Sequence, residues 1–325
     1  MILNISQALE VIRKSDEKNI NRREPSALFE PRNYIMSLGG KRMRSIFCLM
    51  GYSLYKDDYN TAADLAYAIE LFHNFTLVHD DIMDDATLRR GKATVHEKYD
   101  VNSAILSGDV MLVEVYERLC RLDTPHALEI IGLFSETARE VCEGQSMDMV
   151  FEETKDVSIE EYLKMIELKT AVLLGASLRL GALLGGASAN DQEHLYRFGT
   201  HAGVSFQIQD DYLDVYGDPE TFGKKVGGDI IQGKKTYLYL RAMNMLEGPE
   251  REAFHQLYTS ESEDEEDKVL RVRNVFDELF IANYCHEAKD AFFQLALSHL
   301  SQVDISEEQR GNLQAFAEKL KDRQS

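Results

Sequence analysis

Apolar residues recur with helical spacing along the whole chain, and no stretch keeps the alternation of a half-buried strand. Leu65, Ile69, Phe72 and Thr76 follow the i, i+4, i+7 rule, and Leu38-Gly39-Gly40 reads as the end of an earlier helix. Prolines interrupt this pattern only five times, with none between Pro31 and Pro125 or between Pro125 and Pro219. Because proline breaks helix interiors, that spacing predicts long helices. Loops are predicted at Gly39-Gly40, from Leu88 to Ala93, at Gly185-Gly186 and from Gly217 to Gly233. Residues 259–267 are almost wholly Ser, Glu and Asp, which predicts an acidic surface loop with Ser262 and Glu265 spaced as a capping box. No boundary has linker composition, so one all-α domain over residues 1–325 is expected.

Charge narrows the partners. Lys plus Arg number 36 and Asp plus Glu 56, so 36 − 56 gives a net charge of −20, which argues against a nucleic-acid binder. A hydrophobic content of 44% supplies a core and argues against a disordered chain. Cys48, Cys120, Cys142 and Cys285 are scattered without a CxxC pair, so neither a zinc site nor a disulfide framework is suggested, and a reducing, cytoplasmic setting is the default. Polar Asn4, Ser6 and Gln7 stand where a secretion signal needs an apolar run. The nearest approach to a membrane span runs from Ala171 to Ala189. It carries Arg179 and many Gly and Ala residues, so a buried helix is expected and no transmembrane segment.

One internal echo stands out. Asp80-Asp81-Ile82-Met83-Asp84 returns in pattern as Asp210-Asp211-Tyr212-Leu213-Asp214, each copy closing an apolar helical run. On a helix, Asp80 and Asp84 share one face with side chains ~6 Å apart. Gln207, Asp210, Asp211 and Asp214 fall at i, i+3, i+4 and i+7. Like charges so placed destabilise a helix unless water screens them, protons are taken up, or cations bind. Hard oxygen donors without nearby cysteine point to Mg²⁺, which bridges carboxylates to phosphate oxygens. A single such cluster is ordinarily a solvated acidic helix end. Here both are followed by basic residues in or near glycine-containing turns: Arg89-Arg90-Gly91-Lys92 after the first, Lys224-Lys225 and Lys234-Lys235 after the second. A third set, Lys41-Arg42-Met43-Arg44, follows Gly39-Gly40. The combination fits a polyphosphate held partly through metal and partly by Lys and Arg.

With these residues the chain resembles the trans-isoprenyl diphosphate synthases, the head-to-tail polyprenyl synthetase family. The matching segments are Gly39 to Arg44, His73 to Asp84, Arg89-Arg90-Gly91, Lys169-Thr170, Phe206 to Asp214, Phe222-Gly223-Lys224, Gly227-Gly228-Asp229 and Gly233 to Thr236. They occur in the family's order. Ser45 and Ala93 depart from it, standing where proline is common, which is expected to affect loop stiffness more than chemistry. The resemblance implies an all-α fold of isoprenoid synthase type, long helices around a deep central cleft, and a homodimer.

It also implies roles. Asp80, Asp84 and Asp210 would ligate three Mg²⁺ ions on an allylic diphosphate (dimethylallyl, geranyl or farnesyl), with Asp81, Asp211 and Asp214 in support. Arg89, Lys169, Lys224 and Lys234 would hold that diphosphate directly, and Lys41, Arg44, His73 and Arg90 would hold isopentenyl diphosphate. Thr170, Gln207 and the Lys169 carbonyl would steady the allylic cation. Phe75, Phe72 and Thr76, upstream of the first motif, would form the floor that stops chain growth. Phe75 suggests geranylgeranyl diphosphate as product, while Phe72, one turn earlier, would favour farnesyl diphosphate. On an ideal helix Phe75 lies about 140° from Asp80, so both rings also read as ordinary core aromatics. A class I terpene cyclase would lack the Lys41, Arg44 and Arg90 set, and a non-catalytic partner subunit usually loses an Asp cluster. An EF-hand is excluded by the missing central Gly and terminal Glu.

Overall fold

The computed structural model describes residues 5–19, 23–218, 226–260 and 264–321. The helical periodicity becomes helices almost throughout. In chain order they begin with α1 (Ile5–Asn19), α2 (Ser26–Ser37), α3 (Met43–Ser53) and α4 (Tyr59–Met83). A two-stranded hairpin follows, β1 (Leu88–Arg89) with β2 (Lys92–Ala93), then α5 (Val95–Lys98), α6 (Val101–Leu119) and α7 (Ala127–Glu153). Next come α8 (Ile159–Ile166), a π-helical turn (Glu167–Ala171), α9 (Val172–Gly185) and α10 (Ala189–Tyr216). The remainder is α11 (Gly228–Ile231), α12 (Tyr237–Met245), α13 (Gly248–Thr259), α14 (Glu265–Glu278), α15 (Ile281–Leu300) and α16 (Glu307–Lys321).

Packing divides the chain into two compact units. The first comprises Met1–Ala138, Leu174–Tyr196 and Gln302–Leu313. Its core holds Phe47, Leu49, Leu65, Ile69, Phe72 and Phe134, all within 1% of full burial. Helix α4 packs chiefly on α6 and α3. Two glycines let α3 and α9 touch through their backbones: a Cβ at Gly51 would stand 2.3 Å from the Leu178 carbonyl oxygen, and one at Gly181 2.0 Å from that of Cys48. The second unit comprises Arg139–Leu173, Arg197–Ser301 and Gln314–Ser325. Ile208, Leu238, Tyr239, Tyr258 and Phe276 are at the centre of its core.

Local signals explain several boundaries. Asp100 caps α6 by accepting from the Ser103 N–H at 2.9 Å, and Ser158 with Glu161 forms a reciprocal capping box on α8. The cap expected before α14 falls elsewhere: Asp264 accepts from the Asp267 N–H at 3.0 Å, while Ser262 lies outside the described residues. The Leu88–Ala93 loop is the hairpin, and within Gly217–Gly233 residues 228–231 form a short helix. The apolar stretch lies in one unbroken helical run, Ile159–Gly185, whose most apolar window has mean hydropathy 1.4 and is 83% buried. That burial is the expected one. All four cysteines are free thiols.

Candidate active site

The first carboxylate cluster closes α4. The Asp84 N–H still bonds the Asp80 carbonyl at 2.8 Å, and the chain then leaves the helix through Asp85 at φ 48°. Asp80 and Asp84 are half-buried, whereas Asp81 is fully buried. Its carboxylate accepts from Arg89 Nε at 3.0 Å and Nη2 at 2.5 Å. Burial pushes the Asp81 carboxyl up, against the pull of Arg89. Arg89 is placed by the hairpin, whose turn puts Arg90 (φ 55°) and Gly91 (φ 71°) in the left-handed region that a two-residue hairpin favours.

The basic residues of the first unit gather beside this turn. A Cβ at Gly40 would stand 2.7 Å from Arg90 Nη2, so the glycine makes room for the guanidinium. Arg44 Nη1 lies 3.1 Å from His73 Nε2. Burial, then Arg44 and Arg90, drives the His73 imidazole well below its ordinary range, so it is neutral and accepts from Arg44. Burial also lowers Arg44, to about 10, which leaves it charged at neutral pH. Lys41 is exposed. Thus Arg44, His73 and Arg90 are brought together.

Behind them is a network the sequence did not disclose. Buried Glu70 accepts from Arg42 Nη1 and from the Ser45 hydroxyl, both at 3.0 Å, and Arg42 also reaches Asp16 at 3.0 Å. Ser45 is therefore not a matter of loop stiffness. It sits in the first turn of α3, wholly buried, and its hydroxyl also donates to the Ala66 carbonyl at 3.0 Å, which proline could not do. The other departure, Ala93, offers its carbonyl to the Tyr34 hydroxyl at 2.7 Å.

Upstream on α4, Phe75 and Phe72 are 9% and 1% exposed, with ring centroids 5.6 Å apart. Phe72 meets Phe134 edge-on at 5.1 Å, and Phe75 meets His79 at 4.8 Å. The half-buried Thr76 turns its hydroxyl back to the His73 carbonyl at 2.9 Å. The His79 ring lies over Gly108, where a Cβ would stand 2.2 Å from its Nε2.

The second cluster lies in the last two turns of α10. Asp210 is half-buried, but Asp211 and Asp214 are buried. Asp211 accepts a short hydrogen bond from the Tyr162 hydroxyl, and others from Gln207 Nε2 and the Tyr237 N–H, each at 3.3 Å. Burial first, then the neighbouring Asp229, pushes its carboxyl up to about 8. Gln207 in turn accepts from the Thr170 hydroxyl at 3.4 Å. Asp214 Oδ2 accepts from the Asp229 N–H at 3.0 Å, so this carboxylate organises the turn at 227–229.

Lys169 and Thr170 stand on the π-helical turn, a distortion common at functional positions. A Cβ at Gly144 would fall 2.2 Å from the Lys169 nitrogen, so α7 and this turn meet backbone to backbone. Four residues on, Asp148 binds Lys169 Nζ at 2.5 Å. Tyr162 and Asp148 escaped the sequence reading; only the Gly144–Asp148 helical spacing hinted at the second. Lys234 is half-buried, and its carbonyl accepts from the Tyr258 hydroxyl at 2.7 Å. Lys235 is not presented to a ligand: its Nζ caps α7 through the Phe151 and Glu152 carbonyls at 2.6 and 2.9 Å. Lys224, with Phe222 and Gly223, lies outside the described residues.

The donors fit magnesium. Among the described residues no three His, Cys, Asp or Glu groups are gathered into a ready-made metal site. The half-buried carboxylates at helix ends instead offer one or two hard oxygens each, as suits an ion that completes its shell with water and phosphate.

The polyprenyl synthetase family profile matches residues 25–275. The chain is 37% identical over 305 residues to a geranylgeranyl pyrophosphate synthase from Geoglobus acetivorans, covering 93% of each chain. It superposes on a crystal structure of geranylgeranyl pyrophosphate synthase with a TM-score of 0.94 at 41% identity, covering 99% of this chain and 100% of that one. A geranylgeranyl pyrophosphate synthase from Corynebacterium glutamicum, complexed with isoprenyl diphosphate and magnesium, gives a TM-score of 0.88 at 26% identity, covering 99% and 100%. With matches of this extent, the chain belongs to the polyprenyl synthetase family and is a prenyltransferase.

Proposed function

We propose that the chain condenses isopentenyl diphosphate with an allylic diphosphate, head to tail, to make geranylgeranyl diphosphate. The observation that carries this reading is that both Asp-Asp-x-x-Asp helix ends keep half-buried carboxylates, Asp80 and Asp84 in one unit and Asp210 in the other, while Arg89 is held against the first motif. Asp80, Asp84 and Asp210 would hold three Mg²⁺ on the allylic diphosphate. When bound, these ions stabilise the negative charge that grows on the leaving diphosphate. Arg89, Lys169, Lys224 and Lys234 hold the same group; Lys169 leaves Asp148 to do so. Arg44, Arg90, Lys41 and neutral His73 hold isopentenyl diphosphate, with His73 fixing Arg44 rather than adding charge. The Thr170 hydroxyl, the Gln207 amide oxygen and the Lys169 carbonyl turn dipoles toward the allylic cation. The isopentenyl double bond attacks that cation, and the departing diphosphate takes the proton.

Phe75 serves as the floor, with Phe72 beneath it. The shared ring cluster supports this order, and so do relatives named for the twenty-carbon product. A homodimer is supported by the apolar face that Val101, Ile105, Leu106 and Val113 expose along α6. The family match includes residues of both compact units, which supports a single catalytic domain over residues 1–325. Free cysteines support a cytoplasmic setting.

The test is incubation with Mg²⁺, labelled isopentenyl diphosphate and dimethylallyl, geranyl or farnesyl diphosphate, followed by sizing of the alcohols. A twenty-carbon end point is expected, lengthened by Phe75→Ala. A fifteen-carbon end point would mean that the floor lies nearer the first Asp motif than Phe75 sets it, and no elongation by folded protein would refute the reading.

A further inference from the structure

Helices α13 and α14 have no role in the reading above, and a buried lysine supplies one. Lys268, early in α14, is 4% exposed, although an ammonium is rarely buried without partners. Its Nζ donates to the Ser260 carbonyl at 2.9 Å and to the Ile231 carbonyl at 3.4 Å. Ser260 is the C-cap of α13 and Ile231 ends α11, so the charge meets two helix ends at their partially negative pole.

Those two carbonyls belong to different pieces of chain. Ser260 begins the acidic segment, while Ile231 lies in the stretch that runs from Gly227 into Lys234. That stretch is fastened at other points too. The Gly227 N–H bonds the Asp214 carbonyl at 2.6 Å, and the fully buried Tyr258 holds the Lys234 carbonyl. Gly227, at φ 83°, lies so near α14 that a Cβ would stand 2.6 Å from Val269 Cγ2. Apart from Asp214, these supports all come from α13 and α14.

We propose that Lys268 is a positioning residue for Lys234: it clamps the 227–236 turn from behind, tying the Ile231 carbonyl to the C-cap of α13 at Ser260. This role holds only if Lys234 grips the allylic diphosphate, as proposed above. A misplaced cation should then weaken one substrate and spare the other.

In Lys268→Met the KM for the allylic diphosphate should rise about ten-fold while that for isopentenyl diphosphate stays within about two-fold. Lys268→Arg, which keeps a cation near both carbonyls, should restore the first value. Hydrogen exchange reads the clamp without any substrate. The Gln232, Gly233 and Lys234 amides, bonded to Gly228, Ile230 and Asp229, should exchange faster in Lys268→Met. If that variant does not fold, Tyr258→Phe removes only the hydroxyl on the Lys234 carbonyl and should show the same split. Unchanged exchange in a folded Lys268→Met, or both KM values rising together, would overturn the proposal. Faster exchange with an unaltered allylic KM in Lys234→Ala would instead overturn the role given to Lys234 and leave the clamp standing.

Discussion

At the end of α4 the inner aspartate of the motif, Asp81, is met by a guanidinium; at the end of α10 its counterpart, Asp211, is met by a phenol and two N–H groups. Both are buried, at 0% and 4% exposure. Arg89 brings a full opposite charge to the first. Around the second there are only dipoles, and Asp229 adds repulsion, so Asp211 keeps a proton at neutral pH. The last aspartates differ as well. Asp84 stays half-buried at its helix end, whereas Asp214 is turned onto the backbone of the 227–229 turn. A repeated motif therefore marks where two chemically similar sites lie without giving its buried carboxylates the same work: in the first copy Asp81 anchors a hairpin, in the second Asp211 organises a core and Asp214 a loop.

Three pairs of substitutions would break or sharpen this contrast. The largest effect is expected at the last aspartates. Asp84→Ala should lower kcat ~10³-fold and Asp214→Ala ~10²-fold or less, because only the first removes charge aimed at the diphosphate. Equal losses in steady-state assays would erase the distinction. Next come the partners of the inner carboxylates. Arg89→Met, which strands Asp81 without a cation, should cost ~3 kcal/mol in urea unfolding, and Tyr162→Phe ~1 kcal/mol. The reverse order would mean that Asp81 is not the better-compensated charge.

The smallest effects are in pH dependence, and they have opposite signs. Folded His73 titrates well below the unfolded value of ~6.5, so below that pH only the unfolded chain takes up the proton and stability falls as pH drops. Folded Asp211 holds its proton up to about 8 while the unfolded carboxyl loses it near ~4, so stability declines as pH rises between them. The melting temperature of the metal-free protein should fall less steeply toward acid pH in His73→Gln and decline less between pH ~4 and about 8 in Asp211→Asn. Parallel pH profiles for either variant and the parent would remove that group from the account.

Much of this was legible before any coordinates, for physical reasons. Helix ends at Gly39-Gly40 and Gly185-Gly186, the carboxylate pairs and the Arg90-Gly91 turn rest on local chemistry that few residues encode. The arrangement Arg44–His73 followed from a resemblance, and the helical period alone would have left His73 in the core. What stayed hidden depends on distant chain: Tyr162 reaches Asp211 across 49 residues and Lys169 reaches Asp148 across 21. The π-turn was equally invisible, since a one-residue widening barely alters an apolar period of 3.6. Ser45 misled because a proline-for-serine exchange looks like a backbone matter until the buried Glu70 appears beside its hydroxyl.

The most direct test of the central claim is calorimetric. A non-ionisable allylic thiodiphosphate would be titrated, with and without Mg²⁺, into the parent protein and into Asp84→Asn, Asp210→Asn and Asp211→Asn. On the proposed reading outer carboxylates bind metal and inner ones hold structure, so the first two should lose Mg²⁺-dependent affinity by ~10²-fold and the third should keep it within a few-fold. Loss of that affinity in Asp211→Asn to the same extent, with the protein still folded, would contradict the division of labour drawn from the two helix ends.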